Sequence, residues 1–193
     1  MTDQDRALLI VVDYQYDFVA LDGALPVGQD ALDIEEYIDA RCQSYLDAGQ
    51  DVAFTFDTHL RETWAAHPES KAFPPHCIKG TKGWEIYGLP ARHLARSNAA
   101  VVEKAAYCPS FAQLEAWVKQ YQRIEILGVV TNICVLHLAV GLYTAKIALE
   151  LPLLAQGQPG ARLVVNDAGC ASFDPEAAQF ALNHMHTVLG MTH

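Results

Sequence analysis

Ala7 to Val12 is a run of apolar residues that stops at an aspartate, and the chain repeats that pattern. Such a run is too short for a helix, and its unbroken polarity suits a strand covered on both faces of a parallel sheet. Val52 to Phe56 is a second run and also ends in an aspartate, Asp57. Ala100 to Val102 leads into Glu103 and Lys104, Ile124 to Val130 runs toward Cys134, and Arg162 to Val165 is a fifth strand candidate. Between these runs the period changes. From Ala31 to Ala48, the residues Ile34, Ile38, Cys42, Tyr45 and Leu46 recur at helical spacing, and Gly49 supplies a stop. Ser110 with Gln113 resembles a capping box opening a helix whose apolar face is Phe111, Leu114, Trp117 and Val118. Another helix is expected to begin near Ile133. Asp174-Pro175-Glu176 has the order of a cap followed by a first-turn proline. Strands alternating with helices predict an α/β fold, a three-layer sandwich with a mainly parallel central sheet flanked by helices.

A length of 193 residues without repeat, low-complexity tract or linker fits a single domain spanning 1–193. Apolar residues make up 51% of the chain, enough to bury a sizeable core. Thirteen Lys+Arg against 23 Asp+Glu leave a formal charge of −10, which repels phosphate backbones and argues against a nucleic-acid partner. Ala7 to Val12 is far short of the roughly 20 apolar residues that span a bilayer, and its flanks do not resemble a signal peptide, so no membrane partner is expected. Five cysteines at irregular spacing do not form a disulfide framework and point to reduced thiols in the cytoplasm.

In parallel α/β sheets, ligands sit at the carboxyl ends of the strands, so the polar residues there are the informative ones. Asp13, Lys104 and Cys134 share that position. A cysteine entering a helix has its thiolate stabilised by unpaired N–H groups, and a nearby lysine would lower its pKa further. An aspartate could take the thiol proton and hand it to a leaving amine. The long irregular stretch from Thr58 to Asn98 is of the kind that is usually functional. It continues Asp57-Thr58-His59 through His67-Pro68-Glu69 to Pro74-Pro75-His76-Cys77. Asp-x-His on an extended chain, with a further His or Glu from the loop, makes an N/O donor set suited to zinc, manganese or iron. Cys77 reads as a packed neighbour of that set.

These motifs, taken in order, resemble the isochorismatase-like cysteine hydrolases, and within them the nicotinamidases. The resemblance rests on Asp13-Tyr14-Gln15-Tyr16-Asp17-Phe18, Asp57-Thr58-His59, His67 through His76, Gly80-Thr81, Lys104, Tyr107 and Gly128 through Val135. It spans about residues 7–140 and weakens afterwards. It implies amide hydrolysis through a thioester, with Cys134 as nucleophile, Asp13 as general base and then proton donor, and Lys104 stabilising the thiolate. It also implies a cis peptide at Val129–Val130 and an oxyanion hole from the backbone N–H groups of Val130 and Cys134. One divalent metal ion, zinc by preference, with manganese or iron as alternatives, would be held by Asp57, His59, Glu69 and His76. His67 is the alternative fourth ligand. Phe18, Phe73 and Tyr107 match the positions that enclose the substrate ring. The implied substrate is nicotinamide, with pyrazinamide as an analogue, and the implied context is NAD salvage by a homo-oligomer.

This chain departs from the family pattern in two places. Asn132 stands where the family commonly has an aspartate, which removes a charge near the thiolate and is expected to alter pH dependence rather than abolish activity. The connection from Ala145 to Ala161 looks long, and a sixth strand is expected to be short or absent. The runner-up reading is a cysteine amidase for a carbamoyl or ureido substrate, against which the metal set argues. An inactive binding module of the same fold is disfavoured by Asp13, Lys104 and Cys134 together. Isochorismate hydrolysis is disfavoured because its relatives lack the nucleophilic cysteine.

Overall fold

In the computed structural model, which describes residues 6–154 and 160–193, five strands form one parallel sheet. They are β1 (Ala7–Val12), β2 (Asp51–Asp57), β3 (Ala99–Lys104), β4 (Arg123–Val129) and β5 (Arg162–Ala171), in the order β3-β2-β1-β4-β5. The helices are α1 (Tyr16–Val19), α2 (Gln29–Asp33), α3 (Glu35–Asp47), α4 (Phe111–Gln120), α5 (Leu136–Leu154) and α6 (Pro175–Thr187). Successive side chains of β1 serve opposite faces, as the period of two requires. Leu8, Ile10 and Val12 pack with Leu114 and Trp117 of α4, Leu138 and Leu142 of α5 and Met185 of α6. Leu9 and Val11 pack with Ala31 of α2 and Ile38, Cys42 and Tyr45 of α3. The sheet is therefore the middle of three layers.

Local chemistry explains the helix ends. Gly49 has φ 71°, and around it Gln50 N–H donates to Tyr45 O at 2.9 Å while Gly49 N–H donates to Leu46 O at 3.1 Å. That pair of bonds is a Schellman stop. The Ser110 hydroxyl accepts from Gln113 N–H, and an Asp174 carboxylate oxygen accepts from Ala177 N–H at 3.0 Å, so both expected N-caps form.

Several expectations need correction. The helix over 31–48 is two helices, because Ile34 forms a turn between α2 and α3. Phe111 is half exposed, and the buried face of α4 is Leu114, Trp117 and Val118. The helix after β4 starts with a π turn, Thr131–Val135, before α5 proper. Much of the long connection from Ala145 is helical, since α5 runs to Leu154; residues 155–159 lie outside the described residues. β5 continues to Ala171 through a break in register with β4. The sixth strand is reduced to one parallel bridge between Val164 and Thr192. The segment Thr131–Leu149 is long and apolar enough to cross a membrane by composition alone, but its Leu138, Ala139, Leu142 and Ala145 are buried against the sheet. That is the pattern of a core helix.

Candidate active site and metal centre

Four adjacent parallel strands end on the same edge, and strands about 4.8 Å apart bring their terminal residues within reach of one another. Asp13 follows β1, Asp57 and Lys104 close β2 and β3, and Cys134 lies in the turn after β4. The strand order reverses direction between β1 and β4, which is where α/β sheets open a crevice. Gly128 makes the close approach of these two strands feasible: a Cβ there would lie 2.2 Å from Val12 O, and its φ is 125°. The peptide Val129–Val130 is cis, as expected. Asp13 adopts φ 46°, a left-handed conformation that aspartate tolerates better than most residues.

The first cluster is fully buried. Lys104 Nζ is 2.7 Å from Asp13 Oδ2, 3.6 Å from Cys134 Sγ and 3.7 Å from Asp57 Oδ1. Thr55 Oγ1 donates to Asp13 Oδ1 at 2.7 Å and accepts from Asp13 N–H at 3.2 Å, orienting the carboxylate from the neighbouring strand. Burial pushes Asp13 above the usual carboxylate range against the pull of Lys104, and the Asp57 charge adds to the rise. Burial alone would lower Lys104, but Asp13, Cys134 and Asp57 raise it and keep it an ammonium. Burial pushes Cys134 well above its ordinary value, Lys104 pulls it down, and Asp13 and Asp57 push it up. Burial thus opposes the thiolate while Lys104 favours it, and the adjacent Asp13 carboxylate is raised in the direction that suits a proton acceptor.

The second cluster adjoins the first through Asp57. His59 Nε2 and His76 Nε2 lie 3.1 and 3.2 Å from Asp57 Oδ2, and 3.9 and 3.8 Å from Glu69 Oε2. All four side chains are buried, and their donor atoms lie within 4.8 Å of one another. His76 Nδ1 donates to Pro74 O at 2.8 Å, which turns the Nε2 lone pair toward the carboxylates. Gln15 clamps the backbone of Asp57: its Nε2 donates to Asp57 O at 2.9 Å and its Oε1 accepts from Asp57 N–H at 2.8 Å. Burial would raise Asp57, but hydrogen bonds with His59 and His76 and the Lys104 charge hold it well below the usual range. Burial raises Glu69, and the neighbouring Asp57 charge raises it further. Two imidazoles and two carboxylates facing inward form a donor set that fits zinc, manganese or iron. His67 is turned to other work. Its Nδ1 accepts from Glu69 N–H at 3.3 Å, and its Nε2 donates to Ala105 O at 3.0 Å. Cys77 is buried with its thiol toward Gly83 O, outside the donor set.

Both clusters reach one pocket, lined by Asp57, Glu69, His76, Val130, Cys134 and a mostly apolar wall that includes Phe18, Phe73 and Tyr107. The sequence reading missed Leu25, Ile133 and Phe173, which also line the cavity. It also missed Trp64, whose ring packs edge-on against His59 and His76. Phe173 lies where the motifs thin out; its place just before the Asp174-Pro175 cap was the available signal. Asn132 Oδ1 accepts from Ser172 Oγ at 2.6 Å, tying the turn that carries Cys134 to the segment that leads into α6.

Residues 7–192 match the Isochorismatase domain family, and the chain belongs to that family. A Bacillus subtilis (strain 168) relative described as an uncharacterized isochorismatase family protein PncA is 36% identical, over 96% of this chain and 97% of that one. The crystal structure of nicotinamidase/pyrazinamidase PncA from Bacillus subtilis superposes with a TM-score of 0.82 at 32% identity, covering 97% of this chain and 98% of that one. A pyrazinamidase of Pyrococcus horikoshii, solved in complex with zinc, shares the fold with a TM-score of 0.70 at 24% identity, over 97% of each chain. These similarities support a hydrolase.

Proposed function

We propose that this protein is a metal-dependent nicotinamidase, hydrolysing nicotinamide to nicotinate and ammonia. One observation carries the reading: a Cys134–Lys104–Asp13 cluster, through Cys134, and an Asp57–His59–Glu69–His76 donor set, through Asp57, Glu69 and His76, reach the same aromatic-walled pocket and are joined by the 3.7 Å contact of Lys104 with Asp57. A divalent ion held by those four residues would supply a Lewis-acid contact for the pyridine nitrogen. Phe18, Phe73 and Tyr107 enclose the ring and exclude water from it. Cys134 Sγ attacks the carboxamide carbon while its proton passes to Asp13, and the backbone N–H groups of Val130 and Cys134 receive the oxyanion. Asp13 then gives the proton to the departing ammonia, leaving a thioester. Asp13 next takes a proton from water, which hydrolyses the thioester to nicotinate and restores the thiol. Lys104 stays charged throughout and stabilises whichever of Asp13 and Cys134 is anionic. The same reading places the protein in NAD salvage in the cytoplasm, as a homo-oligomer, with zinc as the preferred ion.

The test is direct. Purified protein with added zinc is incubated with nicotinamide, while ammonia release and the ring protons are followed by assay and NMR. Stoichiometric nicotinate and ammonia are expected; no nicotinate at micromolar enzyme rejects the assignment.

A further inference from the structure

β5 pairs with β4 through Val165 opposite Ile126, then regains register only at Cys170 opposite Gly128. The residues between form a bulge, a feature that re-aims side chains at sheet edges and sites. Asp167 sits on it. After α6 the chain returns to the same edge: Val165 N–H donates to Thr192 O at 3.0 Å, and Thr192 N–H donates to Leu163 O at 3.1 Å. This return brings His193 Nδ1 to 3.6 Å from Asp167 Oδ2 and its ring centroid to 3.9 Å from that of His186. His186, on α6, places Nε2 at 3.0 and 3.1 Å from the two carboxylate oxygens of Asp167.

The hydrogen bonding of His186 aims its Nε2 at the Asp167 carboxylate. Its Nδ1 lies 2.9 Å from Met191 O, which can only accept, so Nδ1 carries a proton. Nε2 then faces two carboxylate oxygens, a contact that a ring proton or a shared metal ion satisfies. His76 is built the same way, with Nδ1 on Pro74 O and Nε2 toward Asp57. Donor separations of 3.0 to 3.6 Å span the edge of about 3.4 Å expected for a tetrahedron with bonds near 2.1 Å. Among the described residues, this is the one such donor group besides that of Asp57.

We propose that Asp167, His186 and His193 form a second metal site, taking a borderline divalent ion such as zinc, nickel or copper(II), with water completing the shell. Two imidazoles and one carboxylate, without thiolate, favour such ions over calcium, magnesium or copper(I). The site clamps the segment after α6 onto the β5 edge and takes no part in the chemistry at Cys134.

Metal counting tests this on the untagged full chain, stripped with chelator, dialysed against zinc and measured by elemental analysis. Two equivalents per chain are expected in the natural protein, one in Asp57→Asn, one in His186→Gln and none in the double variant. His193 is largely solvent-exposed, so His193→Ala keeps the test decisive where His186→Gln fails to fold, and it too should bind one equivalent. Asp57→Asn loaded with copper(II) should show two coupled nitrogens by electron paramagnetic resonance, and the bound-copper signal should be lost when His193→Ala is added. A single equivalent in the natural protein that Asp57→Asn abolishes overturns the proposal, as does a second equivalent that survives both histidine substitutions. Nicotinamide turnover does not enter the readout, so this result stands apart from the catalytic assignment.

Discussion

Asp57 and Lys104 are register partners at the last rung between β2 and β3, and their side chains meet at 3.7 Å between Oδ1 and Nζ. Each also belongs to a different cluster, Asp57 to the N/O donor set and Lys104 to the cysteine group. One strand-pairing contact therefore holds both halves of the candidate site at a fixed distance.

Cys134→Ala should abolish ammonia release, by more than about 10³-fold, while nicotinamide affinity stays within a few-fold, because the aromatic wall and donor set remain. Cys42→Ala and Cys170→Ala should keep substantial activity, since neither residue lines the cavity, and so should Cys77→Ala. Steady-state assay and calorimetric binding separate these outcomes, and intact-mass analysis with a pyridine nitrile should show one adduct that Cys134→Ala lacks.

Lys104→Met should leave the fold intact enough to test and shift the reactivity of Cys134 to higher pH. The ammonium is the group that lowers the thiol against burial, Asp13 and Asp57, so its removal raises the thiol further. Alkylation of Cys134 by iodoacetamide, followed across pH, should slow at every pH below the shifted midpoint. An unchanged profile would falsify the role given to Lys104.

Glu69 and His67 should behave differently. Glu69→Gln should weaken zinc binding by at least about tenfold, because it removes a buried anionic donor. His67→Ala should keep one equivalent at the catalytic site, because both His67 nitrogens are engaged with backbone. His59→Ala should raise KM more than it slows alkylation of Cys134, because His59 is proposed to act on ring binding. Chelation should leave the apoprotein folded, with a modestly lower Tm. Zinc affinity should fall with acidity, since His76 titrates above its ordinary value of 6.5 and must be neutral to bind.

Glu125 offers a stability test away from the site. Its carboxylate is buried and accepts two hydrogen bonds from Arg41 at 2.7 Å, with Tyr45, Asn166 and an ion pair to Arg123 at 2.7 Å around it. Burial works to raise it, but those bonds pull it down to about 2. A depressed carboxyl stabilises the fold above its unfolded value and loses that contribution as pH falls through the folded one, here from about 4.5 toward 2. After allowance for the partly exposed arginines, the contribution near neutrality is about 2 kcal/mol. Glu125→Gln should therefore unfold at lower urea concentration at pH 7, and the difference should shrink steadily below pH 4.5.

The strands were legible because each is a compact apolar run, and Asp13, Asp57 and Lys104 stood out because each interrupts or ends one. The caps at Ser110 and Asp174 and the stop at Gly49 were equally local and formed as expected. The break at Ile34, the exposure of Phe111 and the helical course of α5 to Leu154 were not, because each depends on which surface a neighbouring element covers.

By itself, the sequence determined the residue types with chemistry to offer, their order, and their placement at strand ends, because hydrophobic periodicity and capping are properties of neighbours along the chain. Only the tertiary structure decided that Glu69 rather than His67 faces Asp57, that burial raises the Cys134 thiol against the pull of Lys104, that Phe173 completes the pocket wall, and that Asp167, His186 and His193 converge. The physical reason is common to all four. Donor geometry, desolvation and charge coupling arise between residues far apart in sequence, and they take values only when the sheet has brought those residues together.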